Sequence, residues 1–234
     1  MIERSQLDVA ATRALERDVT RPPVPQALEE TRVVAILRRT EPRLAVETAE
    51  ALVSGGVRAL EVTFNSPGVL DMLRAIQRAL GDRVLLCAGT VLDQEQAEAA
   101  LDVGVRLIVS PHTDPALIKT LARREIPVVP GALTPTEVLA AWRAGASVVK
   151  LFPAGPVGAG YIKDLRGPLA EIPLLPTGGV SLDTAASFID SGAWGLGLGS
   201  ALVDPGLVAA GAFDELAQRA RAFVAIAAQA RTRA

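Results

Sequence analysis

The sequence is poor in the residues on which many protein chemistries rest. Its 234 residues hold one cysteine, Cys87, one histidine, His112, and three lysines. A single cysteine cannot build an internal disulfide framework and fits a reducing compartment. In the apolar run V-L-L-C-A-G it reads as core. One histidine, without an H-x-x-x-H pair, a cysteine pair or a carboxylate cluster, predicts no metal site, so His112 reads as a loop or rim residue. Aromatic residues make up only 3%, which argues against a base-stacking surface. The 24 basic and 26 acidic residues are scattered, so neither a nucleic-acid groove nor a membrane-facing basic patch is expected. No uninterrupted apolar run approaches the roughly 18 residues of a membrane span. The charged N-terminus lacks the apolar core of a secretory signal. The expectation is a soluble, cytoplasmic protein that needs no cofactor, binds no nucleic acid and enters no membrane.

What is present is a repeated unit: a short apolar strand, a polar or glycine-containing turn, then an alanine-rich amphipathic helix. Strands are predicted at 33–37, 59–64, 84–88, 107–109, 128–129, 148–151, 174–175 and 194–198. Helices are predicted between them at 43–54, 69–80, 94–103, 115–124, 135–144 and 182–191. Gly55, Gly81, Gly104, Gly145 and Gly192 follow or end helices, as C-caps do. Asp93 and Thr134 are placed as N-caps, with Glu137 three residues after Thr134 completing a capping box. Such alternation means a parallel α/β sheet with right-handed crossovers. Eight units in about 200 residues favour a closed (β/α)8 TIM barrel over residues 31–234, with a doubly wound open sheet as the alternative. Residues 1 to about 20 read as a helix with Leu7, Ala10, Ala11, Leu15 and Val19 on one face, and Arg21-Pro22-Pro23-Val24-Pro25 as a stiff connector. Residues 1–30 are therefore expected to form an N-terminal appendage on the outside or base of the barrel.

In such barrels the chemistry gathers where the strands end. Lys150 is the anomaly there, an ammonium inside the strand G-A-S-V-V-K-L-F-P, where burial without a partner is costly. An ordinary lysine is a free amine in only about one molecule in 2,500 at pH 7. Burial can be relieved by an ion pair or by a depressed pKa, and the second is what an imine-forming lysine needs. Lys119 and Lys163 lie in polar-faced helical patterns and are not rivals. Glu61, in R-A-L-E-V-T-F, is the matching carboxylate in a strand, readable either as a buried ion-pair partner or as a general acid/base beside the amine. Gly178-Gly179 and Gly199-Ser200 follow the last two strands and precede helices, where backbone N–H groups suit a phosphate. Arg38, at the mouth of the first strand, suits a carboxylate or phosphate, or is a surface arginine at a strand exit. Thr90 is either a carboxylate donor or a plain strand-to-loop residue.

The segments V-A-I-L-R, L-E-V-T-F-N-S-P, C-A-G-T-V-L, I-V-S-P-H, V-V-P-G, V-V-K-L-F-P-A, P-T-G-G-V and G-L-G-S stand in one order across about residues 33–203. In that order and spacing they resemble the bacterial 2-keto-3-deoxy-6-phosphogluconate and 6-phosphogalactonate aldolases. The resemblance implies a class I aldolase acting on a small-molecule keto acid, with Lys150 as Schiff-base lysine and Glu61 as proton shuttle. It further implies that Thr90 holds the pyruvate carboxylate, that Pro111 and Phe152 line the pocket, and that Gly178, Gly179 and Ser200 cradle the phosphate. It also implies a homotrimer. The phosphogluconate enzymes usually carry a carboxylate-binding arginine where this chain has Asn65, whereas the galactonate enzymes resemble this chain in N-S-P and in the arginine at Arg38. Arg38 is therefore expected to take over the carboxylate, with Asn65 counted among the substrate-binding residues. Two other readings are carried forward: a phosphate-binding barrel isomerase or epimerase, which has no use for an imine-forming lysine, and a non-catalytic barrel that binds a ligand. The barrel alone does not separate them.

Overall fold

The computed structural model describes residues 20–231, so the helix expected over residues 1 to about 20 lies outside the described residues. The chain follows the predicted alternation. In order it runs α1 (Gln26–Thr31), β1 (Val33–Leu37), α2 (Ala45–Ser54), β2 (Ala59–Thr63), α3 (Val69–Leu80), β3 (Leu85–Gly89), α4 (Gln94–Asp102) and β4 (Leu107–Val109). There follow α5 (Pro115–Arg123), β5 (Val128–Val129), β6 (Gly131–Ala132), α6 (Pro135–Ala144), β7 (Val149–Leu151), α7 (Gly158–Arg166), β8 (Leu174–Pro176), α8 (Leu182–Asp190), β9 (Leu196–Leu198), α9 (Pro205–Ala209) and α10 (Phe213–Ala228).

The fold is mixed α/β around a curled parallel sheet. Six strands pair in the order β5-β4-β3-β2-β1-β9 and three in the order β6-β7-β8, every neighbour parallel. This order is sequential, with the last strand beside the first, and lacks the reversal of a doubly wound sheet. Where one fifth strand was predicted there are two short ones, because Pro130 has no N–H to give to a ladder. Its carbonyl still accepts from the Lys150 N–H, and that of Val128 from the Ser147 N–H, each at 2.9 Å. On the far side one parallel bridge joins Thr177 to Gly197.

Both faces of the sheet are buried, which explains its near-continuous apolar strands. Side chains alternate between the faces. The outward set, Val33, Ala35, Leu37, Leu60, Val62, Leu86 and Ala88 among them, packs on the helices. The inward set, Val34, Ile36, Ala59, Leu85, Cys87, Leu107, Val109, Val129, Val148 and Leu175, forms a second core on the concave face.

Helix ends are set by local chemistry. Asp93 accepts from the Gln96 N–H, Asp114 from Ala116 and Leu117, and Thr134 with Glu137 forms the predicted capping box. Gly81, Gly104, Gly145 and Gly192 take the positive φ expected after helices, but Gly55 does not. A Cβ there would stand 2.4 Å from Ala220 Cβ, so Gly55 serves the close approach of α10 to α2, and Gly56 takes the positive φ instead.

Helix α1 directly follows the connector, at the end of the stretch read from sequence as an outer appendage. Its Leu28 is fully exposed to no solvent at all and packs with Val34, Ile36 and Ala59 in the inward core. Ahead of it, Arg21 lies over the Trp142 ring at 3.2 Å and donates to the Trp142 and Ala146 carbonyls, while Ser147 Oγ donates to the Pro22 carbonyl. Leu28→Ala is expected to cost about 2–5 kcal/mol in urea unfolding, as for other fully buried leucines. A loss under about 1 kcal/mol would show that α1 is not part of the core.

Candidate active site

Lys150 and Glu61 reach one place because of strand register. Glu61 lies two residues beyond Ala59 and Lys150 two beyond Val148, so both side chains enter the concave face above apolar neighbours. Lys150 Nζ stands 3.8 Å from Glu61 Oε1, with the two side chains 7% and 2% exposed. That separation makes an ion pair but exceeds a direct hydrogen bond. Glu61 Oε1 is buried without a hydrogen-bond partner among the described residues. Burial pushes the Glu61 carboxyl above its ordinary pKa, against the opposing pull of Lys150. Cys87, paired in register with Glu61, is fully buried, and burial first and the nearby Glu61 second push its thiol well up, so it stays an inert part of the core.

Space for the carboxylate comes from Gly89. A Cβ on Gly89 would lie 1.9 Å from Glu61 Oε1, so any side chain there would displace it. Above the pair opens a cavity of about 780 Å³. Arg38, Glu61, Thr90, Pro111, Lys150, Phe152, Gly178, Gly179, Gly199 and Ser200 all line it. Lys150 Nζ is 5.3 Å from the centre of the Phe152 ring, which forms one wall. Gly178 and Gly179 have φ of +79° and +81°, and a Cβ on Gly179 would lie 2.6 Å from Gly155 Cα. That turn therefore needs glycine and leaves backbone at the cavity wall. Thr90 is β-branched yet has φ +55°, a strained conformation of the kind that persists at functional sites.

Asn65 is not brought to the cavity. Strand β2 ends at Thr63, and the Ser66 N–H turns back to the Thr63 carbonyl at 2.9 Å, leaving Asn65 exposed and burying Ser66. His112 is exposed on its loop and does not line the cavity. Among the described residues no group of three or more His, Cys, Asp or Glu could hold a metal ion, and no helix is long and apolar enough to cross a membrane. Among further lining residues, Arg39 and Thr177 stood at strand ends in the sequence without an assigned role, and Thr63, Ser181 and Asp204 were missed. Thr63 and Thr177 carried a signal, each two residues beyond an inward residue, Glu61 and Leu175. Ser181 and Asp204 are helix N-caps in the structure, and only the folding of their loops brings them here.

The buried carboxyl has a consequence for stability. A carboxyl whose folded pKa lies above its unfolded value of about 4.3 holds its proton longer in the folded state. Its stabilising effect is complete below that value and declines as pH rises through the folded one. Wild type and Glu61→Gln should therefore have similar urea midpoints near pH 4, with the wild type falling progressively below the variant toward pH 7. Parallel curves, or a wild type that gains, would contradict a raised Glu61.

Comparison with known proteins identifies the family. The 2-dehydro-3-deoxy-6-phosphogalactonate aldolase of Escherichia coli (strain K12) is 38% identical over 193 residues, 82% of this chain and 92% of that one. A native KDPGal structure is 37% identical with a TM-score of 0.79, covering 86% of this chain and 96% of that one. A KDPG aldolase from Legionella pneumophila, solved with pyruvate captured as a covalent carbinolamine intermediate, is 25% identical with a TM-score of 0.78, over 84% and 96%. The family model for KDPG and KHG aldolases matches residues 24–219, and with relatives this similar along most of its length the chain belongs to that family of aldolases.

Proposed function

We propose that the chain is a class I aldolase that cleaves 2-keto-3-deoxy-6-phospho sugar acids, of gluconate or galactonate type, to pyruvate and glyceraldehyde 3-phosphate. The observation that carries this reading is the buried Lys150–Glu61 pair at the floor of an open cavity. An isomerase of sugar phosphates would use the glycine turns but not the lysine. A ligand-binding barrel would need neither charge buried.

The steps follow from the groups present. The Lys150 amine adds to the C2 carbonyl, giving a carbinolamine whose hydroxyl leaves as water once protonated. Glu61, whose carboxyl is biased toward its protonated form by burial, supplies that proton and afterwards serves as base. The C4 hydroxyl loses its proton, the C3–C4 bond breaks, and its electron pair enters the imine as an enamine. The aldehyde departs, C3 takes a proton, and water frees pyruvate from the lysine. The imine is itself the electron sink for these steps. Thr90 and Arg38 hold the C1 carboxylate, Pro111 and Phe152 flank the keto acid, and Gly178, Gly179, Gly199 and Ser200 receive the phosphate through backbone N–H groups and a hydroxyl. Asn65, exposed in this turn, is left without a contact to substrate. The same imine chemistry extends to 4-hydroxy-2-oxoglutarate, which shares the 2-keto-4-hydroxy acid core. We also propose that the two sheets close as a (β/α)8 barrel, supported by the Thr177–Gly197 bridge and the continuity through Pro130. A cytoplasmic homotrimer, with residues 1–30 as an N-terminal extension, completes the proposal.

Borohydride reduction in the presence of pyruvate should leave an adduct of pyruvate mass on Lys150 alone, and none in Lys150→Ala. Absence of an adduct on folded wild type would move the assignment to the isomerase or binding reading. Glu61→Gln should lower kcat by about 10²–10⁴-fold, the usual range for a lost general acid/base, while the protein stays folded. A loss smaller than tenfold would remove Glu61 from the mechanism.

A further inference from the structure

Two loops meet at the cavity mouth. The first carries Arg38 and Arg39 out of β1; both are exposed, both line the cavity, and among the described residues neither forms an ion pair. Arg39 has φ +55°, a conformation that non-glycine residues adopt only when the surroundings enforce it. The second loop leaves β2 through Thr63-Phe64-Asn65-Ser66. It enforces that conformation, since the Arg39 N–H donates to Ser66 Oγ at 2.9 Å. Ser66 is 5% exposed, and its hydroxyl also bonds the Thr63 hydroxyl at 3.0 Å. Thr63, 2% exposed, lines the cavity floor beside Glu61. A continuous chain thus runs from cavity floor to arginine turn: Thr63 hydroxyl, Ser66 hydroxyl, Arg39 amide.

We infer that Ser66 is a positioning residue for substrate recognition: through the Arg39 amide it fixes the left-handed turn that aims the arginines into the cavity, and so sets affinity for the keto-acid carboxylate. This rests on the aldolase reading above. The chemistry is selective because a serine hydroxyl can accept from the amide and still donate to Thr63, whereas an alanine would satisfy neither. The same backbone turn that buries Ser66 exposes Asn65. Recognition of the carboxylate is thereby assigned to the loop after β1, with Ser66 tying it to the loop after β2.

The test compares wild type, Ser66→Ala, Arg38→Met and the double variant, reading pyruvate half-saturation in borohydride trapping, and kcat and KM for the phosphorylated 2-keto acid. Ser66→Ala should raise pyruvate half-saturation and KM by the same factor, about five- to tenfold, the scale of the lost bond to the Arg39 amide, with kcat within twofold. Added to Arg38→Met it should raise them less than twofold further, because both changes act on one element. Ser66→Thr, which keeps the hydroxyl, should restore most of the affinity. Ser66→Cys replaces Ser66→Ala if the alanine variant does not fold. A fall in kcat at unchanged KM, full additivity with Arg38→Met, or no rescue by threonine would overturn the assignment. A wild type that traps no pyruvate would overturn the aldolase reading itself, and this one with it.

Discussion

Side chains on a strand alternate at a period of two, and on a curled sheet one of the two faces is an interior. Glu61 sits above Ala59, Lys150 above Val148 and Thr177 above Leu175, each a single pleat beyond an apolar residue of the concave core. The inward positions nearby are filled by Gly89 and Gly197, and a Cβ on either would lie within about 2 Å of the Glu61 carboxylate or the Thr177 hydroxyl. The same alternation therefore fills the lower interior with carbon and leaves the upper interior polar and open. A slip of one residue in β2 or β7 would send the charge into the packed layer under the helices.

The Lys150–Glu61 pair has no explanation as a stabilising device. At 3.8 Å and an effective dielectric near 20, attraction between two unit charges is about 4 kcal/mol. Removing the two ions from water costs several kcal/mol each. The balance is unfavourable or near zero, and the pair lacks the direct hydrogen bond that would improve it. Burial wins at Glu61, whose carboxyl keeps its proton to higher pH despite the ammonium beside it. A carboxyl shifted upward is better suited to proton exchange beside an amine than one at its ordinary value. The large core carries the cost, and the pair is the candidate for the chemistry proposed above.

Backbone strain occurs at two strand-to-loop junctions of the cavity as well as after two helices, at Arg32 and Glu125. Thr90 and Arg39 both adopt left-handed backbone, and both lie at the cavity. Neither is glycine, so each holds its place by its surroundings: Arg39 by Ser66, and Thr90 by its position between β3 and the following turn, where the Val91 N–H bonds the Val109 carbonyl. A side chain was kept at these positions although glycine would have been easier, which is what a cavity needing those side chains requires.

The alternation of strands and helices, the capping residues Asp93, Thr134 and Glu137, and the paired oddity of a lysine and a glutamate in apolar strands were all legible in sequence, because each depends on near neighbours in the chain. The family resemblance, carried by short motifs in a fixed order, was legible for the same reason. Several features were not. Pro130 splits the fifth strand, since ladder donors matter only once a partner strand is present. Helix α1 belongs to the core because Leu28 meets residues from several strands, which no local pattern reveals. Asn65 and Ser66 exchange places through one turn of the backbone, and Ser181 and Asp204 come to the cavity only when distant loops converge. Sequence determined which polar and charged residues stand at the strand ends and on which elements they ride. Tertiary structure decided which of them face one another, because distance, register and burial are properties of the packed chain.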